Sequence, residues 1–340
     1  MPFRPFARLR LTPKLVLALS AFGLVPLLAV GALLYRAGER MRLAAATNLQ
    51  TVAANVADKI DRNLFERYGD VQAFGFNDAV LDTTHWYRAD SAGGRPASAI
   101  VRRMDQYVDA YDLYALTLLA DTAGRVIAVN SAGGDGAPIA SSALWARDYA
   151  DAPWLRACLT GAFTRRRAFT APGNDRADGT VIEDLRVDPD VRAAYPGDDA
   201  LVLGFSAPVR DAAGRSIGCW RNVARFSAVE AIVATAHREL REAGFPGAEL
   251  ALLDSTGRVM FRLAPDRTTG GAPRAWHGVA DEPWRAEATR ALGLGAEAAR
   301  QAQGAGLVAA RGAAGGAGDG AARAVGWAHP QGALGAPATG

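Results

Sequence analysis

The acidic residues are the most concentrated group of side chains that could do chemistry. Glu183, Asp184, Asp188 and Asp190 lie in a polar stretch that runs from 174 to 199. Carboxylates gathered in this way can hold a divalent cation. Polar loops also gather acids routinely, because charged side chains are stable in water. We therefore expect no metal ion to be bound here.

The sequence contains none of the common catalytic patterns. No H-E-x-x-H helix, paired-cysteine motif, G-x-S-x-G elbow or Walker loop occurs in it. The histidines are scattered along the chain, at His85, His237, His277 and His329. We therefore expect that the protein is not an enzyme and that it holds no cofactor.

A second group of residues combines aromatic rings with polar atoms. Tyr149, Asp151 and Trp154 lie together before a predicted helix, and Trp220 and Asn222 lie on a predicted central strand. Small-molecule pockets are largely apolar with a few convergent polar groups, so such residues are suitable members. We name these five as candidate ligand-binding residues.

Two arginines extend this candidate set. Arg147 and Arg166 could meet an anionic group of a ligand. The alternative interpretation is structural. Trp154 would then be an ordinary core residue, and Arg166 would belong to a solvated run of three arginines, 165–167.

A repeated turn indicates the elements that hold these residues. The sequences DTAGR, DAAGR and DSTGR begin at Asp121, Asp211 and Asp254, and each follows an apolar run. Aspartate first and glycine last suit a tight hairpin turn. The recurrence predicts two related mixed α/β modules built on antiparallel hairpins. Helices are predicted at 98–111, from 154 to about 161 and from 229 to about 242; 174–199 is predicted to be a polar loop, and the stretch 293–323, rich in alanine and glycine, to be a flexible loop with some helix at 296–303.

The N-terminal region predicts a membrane anchor. Residues 15–35 carry no charge, and 21 residues of helix span about 32 Å, the thickness of a hydrocarbon core. Arg4, Arg8, Arg10 and Lys14 precede the run without any acid, which places the N-terminus in the cytoplasm. The alternative is a cleaved signal peptide, whose apolar region is usually shorter, at ~7–15 residues.

An amphipathic pattern continues the anchor outward. Apolar residues recur at three- and four-residue spacing, and no proline or glycine interrupts them between Gly38 and Gly69. We expect one helix from the anchor to about residue 74, which needs its own domain or a second copy to cover its apolar stripe. The stripe consists of Leu49, Val52, Val56, Ile60, Leu64, Tyr68, Val71 and Phe74.

Charge and cysteine content restrict the remaining possibilities. The net charge of +3 is small, and the pI of 9.0 is no case for nucleic-acid binding. Cys158 and Cys219 are the two cysteines, and outside the cytoplasm they could form a disulfide. We expect two buried free thiols instead, because one cysteine is predicted on a helix and the other on a strand.

Taken in order, several segments resemble the double-Cache (dCache) sensor domain of bacterial methyl-accepting chemotaxis proteins. The resemblance covers roughly residues 36–334. It is carried by the segments 64–74, 107–114 with the following DTAGRVIAVN, 149–154 (YADAPW), 205–222 (FSAPV to GCWRN) and 324–332 (AVGWAHPQG).

The resemblance implies an α+β fold and an organisation. A transmembrane helix would run into a long stalk helix, and two tandem PAS-like (Cache) modules, each built on an antiparallel sheet, would pack along it. Binding of a small molecule to the membrane-distal module would displace the stalk helix across the bacterial inner membrane. The implied parts are a cytoplasmic N-terminus (1–14), the transmembrane helix (15–35), the stalk (36–78), the membrane-distal module in the periplasm (79–242) and an incomplete membrane-proximal module with an Ala/Gly-rich insert (243–340).

The sequence departs from the family at its ligand site. Amino-acid-binding members hold their ligand with an Arg-x-Trp-Tyr segment and a strand aspartate. Here the corresponding positions are Ala152 to Leu155 and Asn222, so the charge-assisted hydrogen bonds are missing. We therefore expect a small-molecule ligand other than an ordinary α-amino acid.

The resemblance also implies partners. These are the lipid bilayer and a second copy of the chain, with a cytoplasmic kinase or adaptor only in a longer chain. The sequence stops before the second membrane helix of the family, and we expect a fragment or a truncated gene product. The alternatives are the sensor of a histidine kinase or diguanylate cyclase, and a membrane-anchored extracytoplasmic enzyme.

Overall fold

The first element is one long helix. The computed structural model describes residues 11–87, 98–164, 179–253, 259–265, 273–277, 303–309 and 322–328. Helix α1, Leu11–Phe74, runs for 64 residues without a break and contains Pro26. The predicted continuity of anchor and stalk is thereby confirmed. In the second half of α1 the predicted stripe is buried at Val56, Ile60 and Val71.

The N-terminal part of α1 is apolar and exposed. Leu19, Phe22 and Leu27 are 69%, 83% and 69% exposed. In the described part of the chain, α1 is the helix with the length and apolar composition needed to cross a membrane, and a signal sequence would meet the same criteria. Arg4, Arg8 and Arg10, on which the predicted orientation depends, lie outside the described residues.

The chain divides into two compact units, 1–54 with 300–329 and 55–299 with 330–340. The larger unit contains a five-stranded antiparallel sheet with the order β2-β1-β5-β4-β3. The predicted α+β class, a long helix followed by antiparallel sheets, is confirmed. The strands of this sheet are β1 Tyr114–Asp121, β2 Val126–Val129, β3 Val181–Val187, β4 Leu201–Arg210 and β5 Ser216–Arg225; the helices after α1 are α2 Asp78–Leu81, α3 Ser98–Tyr111, α4 Pro153–Thr160, α5 Pro189–Ala194 and α6 Ser227–Glu242.

Two of the three predicted hairpin turns lie in the described residues, and both form. In the first, the carboxylate of Asp121 accepts hydrogen bonds from the backbone N–H groups of Ala123 and Arg125, both at 2.9 Å. Gly124 and Gly214 close the two turns with φ of +86° and +80°, which only glycine adopts without strain. The third turn, at 254–258, lies outside the described residues.

The sheet has a core on each face. On one face, which we call the α1 face, the end of α1 and helix α3 pack against side chains such as Leu119, Phe205 and Trp220. On the other, the α4 face, α4 packs against Leu118 and Cys219. Both faces of the central strands are therefore buried.

The two cysteines form a disulfide, and the expectation of free thiols was wrong. Cys158 on α4 and Cys219 on β5 are bonded, with their Cα atoms 6.5 Å apart. A helix and a strand can be bridged because α4 packs directly on this face, so the two positions point at each other. The bond ties α4 to the middle of the sheet.

The predicted polar loop 174–199 contains two regular elements, β3 and α5. The prediction failed because charged residues on β3 conceal its strand pattern. Glu183 and Arg186 are charged, yet each finds an ion-pair partner inside the protein. Asp188 caps α5 by accepting hydrogen bonds from the backbone N–H groups of Asp190 and Val191.

The second half of the chain forms smaller sheets. Strands β6 Leu250–Leu253, β7 Val259–Ala264 and β8 Arg274–His277 form a three-stranded antiparallel sheet. Strand β10, Ala322–Ala328, pairs antiparallel with β9, Gln303–Ala309. Strand β9 replaces the loop predicted there, whereas 296–302 lie outside the described residues.

Buried polar bonds tie α1 to the edge strand. Gln72 donates from Nε2 to Thr180 Oγ1 at 3.0 Å, and Thr180 donates to the carbonyl oxygen of Tyr68 at 3.1 Å. We expect Thr180→Val to lower the free energy of unfolding by about 1–3 kcal/mol, because it removes the buried hydroxyl that bonds to the Gln72 amide and to the Tyr68 carbonyl. Urea denaturation measures this. The double variant Thr180→Val/Gln72→Leu should recover part of the loss, and a double variant no more stable than the single one would contradict the assignment.

Candidate functional site

An arginine lies at the centre of the α4 face. Arg221, on the central strand β5, is fully buried. It is opposite Leu118 of β1 and Ser206 of β4 in the sheet register, so all three side chains point to the α4 face. A buried guanidinium requires partners, because an isolated charge in an apolar interior is very costly.

Three carboxylates surround the Arg221 guanidinium. Its Nε donates to Glu183 Oε2 at 3.0 Å, its Nη2 to Asp188 Oδ2 at 2.8 Å and its Nη1 to Asp190 Oδ2 at 3.4 Å. Glu183 reaches it across β4 because residue 204 is a glycine, where any Cβ would collide with the glutamate side chain. Three of the four acids grouped from the sequence thus converge on one cation, whereas Asp184 is exposed.

Two further arginines complete the group. Arg186 bonds to Glu183 Oε1 at 2.6 Å and to Asp188 Oδ2 at 2.8 Å. Arg147, which is partly exposed, pairs with Asp190. We call this group the Arg221 cluster, and its members are Arg147, Glu183, Arg186, Asp188, Asp190 and Arg221.

Aromatic rings form one wall of the cluster. The Arg221 Cζ lies 5.2 Å from the ring centroid of Trp154, within the range of a cation–π contact. Tyr149 lies beside Trp154 with ring centroids 5.5 Å apart. Trp154 is on the first turn of α4, one turn before Cys158, so the disulfide holds its helix against the strand that carries Arg221.

Burial and pairing act differently on the two aspartates. Burial opposes ionisation of Asp188, but the charge of Arg221, its hydrogen bond and the charge of Arg186 together outweigh burial and lower the Asp188 pKa to about 2. Burial, followed by repulsion from Asp188, raises the pKa of Asp190. For Arg221, burial disfavours the charge and the carboxylates more than compensate, so its pKa is raised.

The low pKa of Asp188 predicts acid sensitivity. A carboxyl whose folded-state pKa lies below its unfolded value of about 3.9 stabilises the fold above that pH, and the contribution is lost as the pH falls. We expect the free energy of unfolding to drop between about pH 4 and pH 2. Asp188→Asn should flatten this dependence in urea denaturation, whereas Asp184→Asn, which changes an exposed acid on the preceding strand β3, should retain it. An unchanged slope in Asp188→Asn would contradict the assignment.

The structure brings together only part of the predicted site. Tyr149, Trp154 and Arg147 lie in or beside the Arg221 cluster. Asp151 does not, because its carboxylate points to solvent and pairs with Arg156. Arg166 lies outside the described residues.

Trp220 and Asn222 lie on β5, as predicted, but on the opposite face of the sheet from Trp154. Trp220 packs edge-on against Phe74 of α1 at 6.1 Å and donates from Nε1 to Asn222 Oδ1 at 2.7 Å. Successive strand residues point to opposite faces, so Arg221, between them, is the residue that meets Trp154. Arg221 was not among the candidates predicted from the sequence. Two features of the sequence could have indicated it: an arginine within an otherwise apolar strand, and the nearby acids at Glu183 to Asp190.

Three buried polar atoms near Arg221 have no hydrogen-bond partner among the described residues. They are Ser206 Oγ, Tyr149 Oη and Arg186 Nε. Asp190 lies close enough to Tyr149 to add to the effect of burial in raising its pKa, but without good hydrogen-bond geometry. Because buried polar groups are nearly always bonded, these atoms mark a place for water or a ligand.

Two cavities lie away from this cluster. One of about 360 Å³ adjoins the start of α6, and one of about 700 Å³ lies between the end of α1 and α3. In the described ranges, no three His, Cys, Asp or Glu side chains are placed to hold a metal ion. The larger cavity is lined by Phe76, Asn77, Asp78, Ala79, Ala99, Arg102, Arg103 and Gln106.

Comparison with known proteins gives structural neighbours only. No family model matches the chain. No curated protein sequence matches it. One neighbour is the ligand-binding domain of the Pseudomonas aeruginosa PAO1 amino-acid chemoreceptor PctC in complex with GABA. It is 20% identical, the match covers 63% of this chain and 73% of that one, and the TM-score is 0.40.

Two further neighbours come from other bacteria. The ligand-binding domain of the Campylobacter jejuni chemoreceptor Tlp3 with 4-methylisoleucine is 10% identical, with 64% of this chain and 69% of that one covered and a TM-score of 0.42. The sensor domain of the V. cholerae histidine kinase DctB is 14% identical, with 56% and 59% covered and a TM-score of 0.37. All three neighbours are ligand-binding or sensor domains.

Proposed function

We propose that this chain is the extracytoplasmic sensing part of a membrane receptor of the chemoreceptor type. A small molecule would bind on the α4 face of the five-stranded sheet, and binding would displace α1. The chain would also pair with a second copy of itself. The receptor would have two states that differ in the position of α1. A ligand shifts the equilibrium between them only if it binds one state more tightly than the other.

The continuity of α1 is the observation that carries this proposal. The helix that is apolar and exposed at Leu19 to Leu34 also forms part of the sheet's core at Val71 and Phe74. Its last turns are held by polar bonds as well, since Tyr114 donates to Asp70 at 2.6 Å. A helix without a break is stiff, so a displacement at the sheet is carried along it.

The proposed orientation has a direct test. We expect an alkaline phosphatase fused after Glu242 to be active in bacterial cells, and a fluorescent protein fused to the N-terminus to fluoresce. Both outcomes follow if α1 crosses the membrane with its N-terminus in the cytoplasm. The same phosphatase fusion without residues 15–35 should be inactive, and retention of phosphatase activity would contradict the anchor.

Ligand binding is tested with the full chain in lipid nanodiscs. We expect a screen of metabolites to yield compounds that raise the unfolding temperature, because a ligand that binds only the folded state stabilises it. Stabilisation should disappear in Trp154→Ala, because the Trp154 ring forms one wall of the proposed site. It should persist in Trp86→Ala, which removes an equally buried indole from the α1 face.

The same screen separates the sensor from an enzyme. A sensor leaves its ligand unchanged, so every stabilising compound should be recovered intact after prolonged incubation. Turnover of any compound would favour the membrane-anchored enzyme instead. If compounds stabilise Trp154→Ala as much as the wild-type protein, the binding site is not on the α4 face.

A further inference from the structure

The Arg221 cluster is balanced in charge. Three guanidinium groups meet three carboxylates, and each arginine contacts at least one acid. An ion added to such a set would leave one buried charge uncompensated, which is strongly unfavourable in a low-dielectric interior. A zwitterion gains little either, because no arginine or carboxylate of the cluster is left over to pair with its charged ends.

The polar atoms near Arg221 that have no hydrogen-bond partner in the described part of the chain are two hydroxyls and one N–H group. Ser206 Oγ and Tyr149 Oη are hydroxyls, which can each donate and accept a hydrogen bond, and Arg186 Nε can only donate. The matching ligand group carries a carbonyl-type acceptor and an N–H donor on one edge. Amides, ureas and nucleobases have this arrangement and carry no net charge.

The aromatic wall favours a flat molecule. The rings of Trp154 and Tyr149 are inclined at 59° to each other and line the same side of the cluster. Flat ligands make offset or edge contacts with such rings at little entropic cost.

From these three observations we infer that the α4 face binds an uncharged, planar molecule of the amide or nucleobase class rather than an ion. The inference rests on the proposed function, because it assumes that the chain senses a small molecule. The sequence predicted only that the ligand is not an ordinary α-amino acid. This inference names the chemical class to which the ligand would belong.

Three isosteric probes test the charge requirement. Benzamide is neutral, benzoate is an anion and benzamidine is a cation, and all three are flat. With the full chain in nanodiscs, we expect calorimetry to find benzamide bound at least about tenfold more tightly than either ion, a difference of ~1.4 kcal/mol. Equal or tighter binding of benzoate or benzamidine would overturn the inference, and so would failure of all three to bind.

Charge-altering variants sharpen this test. Asp190→Asn removes one negative charge and should make benzoate the preferred probe. Arg147→Gln removes one positive charge at the rim and should make benzamidine preferred. If benzamide stays preferred in both variants, charge balance does not set the selectivity.

Hydroxyl variants test the contacts. Ser206→Ala should weaken benzamide binding by roughly 2- to 10-fold, the usual range for one neutral hydrogen bond. The matched control is Thr117→Val, which removes a buried hydroxyl, also unpartnered among the described residues, from the α1 face of the same sheet. If Ser206→Ala does not fold, Tyr149→Phe replaces it. Unchanged affinity in the hydroxyl variant would mean that these atoms hold buried water, and the inference would fail.

The outcome also separates this inference from the proposed function. A metabolite screen whose Trp154-dependent hits are all ions would retain the sensor and refute the ligand class. Absence of any hit in the screen and among the probes would refute both.

Discussion

Replacing Arg221 with methionine is expected to lower the free energy of unfolding by about 3–5 kcal/mol, the usual cost of removing one partner from a buried ion pair. The reason is the state of the acids left behind. Among the described residues, Glu183 and Asp188 would then have only Arg186 as a cationic partner, and methionine offers no hydrogen bond in place of the Arg221 guanidinium. Equilibrium urea denaturation measures the change.

An exposed ion pair of the same type provides the control. Arg215 bonds to Asp211 at 2.8 Å, but its side chain is 82% exposed. Arg215→Met should therefore leave stability nearly unchanged, since exposed pairs contribute little. Combining Arg221→Met with Asp188→Asn should recover part of the loss. A loss in Arg221→Met no greater than in Arg215→Met would show that the Arg221 cluster is not buried as described.

Removing the disulfide is the second change with a large expected effect. Cys158 and Cys219 are 61 positions apart, and the chain-entropy model gives about 4 kcal/mol for closing a loop of that length. We expect Cys158→Ala/Cys219→Ala to lose an amount of this order. Alanine is the appropriate replacement because both sulfurs are buried among apolar side chains.

Reductant separates loss of the bond from loss of packing. Wild-type protein unfolded and refolded with dithiothreitol should match the double alanine variant, and that variant should not respond to dithiothreitol at all. If reductant leaves the wild-type denaturation curve unchanged, the two cysteines are not bonded in solution.

The elements that the sequence predicted correctly are those with a local signal. Helix α1 has an uncharged run followed by an apolar stripe, and the turns at Asp121 and Asp211 have aspartate and glycine at fixed positions. Each of these patterns involves only residues that are close in the sequence, so it can be recognised without the tertiary structure. Strand β3 lacked such a signal, because its charged residues are stabilised by partners on other elements.

The candidate site was harder to predict because both faces of β5 are covered. A half-exposed strand alternates between apolar and polar residues, and the alternation identifies the face of each residue. On β5 the residues from Gly218 to Ala224 are all buried, so no alternation remains. Trp220 and Asn222 are residue types that suit a pocket. However, the β5 side chain that contacts Trp154 of α4 is Arg221. Glu183 and Asp188 identify Arg221 as part of the candidate site only through their distances to it, which the sequence does not provide.

Strand β5 separates two tasks between neighbouring positions. Its odd-numbered residues, such as Cys219 and Arg221, face α4, whereas the even-numbered Trp220 packs against Phe74 of α1. If a ligand binds the α4 face as proposed, substitutions at odd positions would change which molecule is recognised without disturbing how α1 is held, and those at even positions would do the reverse. Under the same proposal, a lineage could acquire new ligands by altering one face of a single strand while keeping the contact between β5 and α1 unchanged.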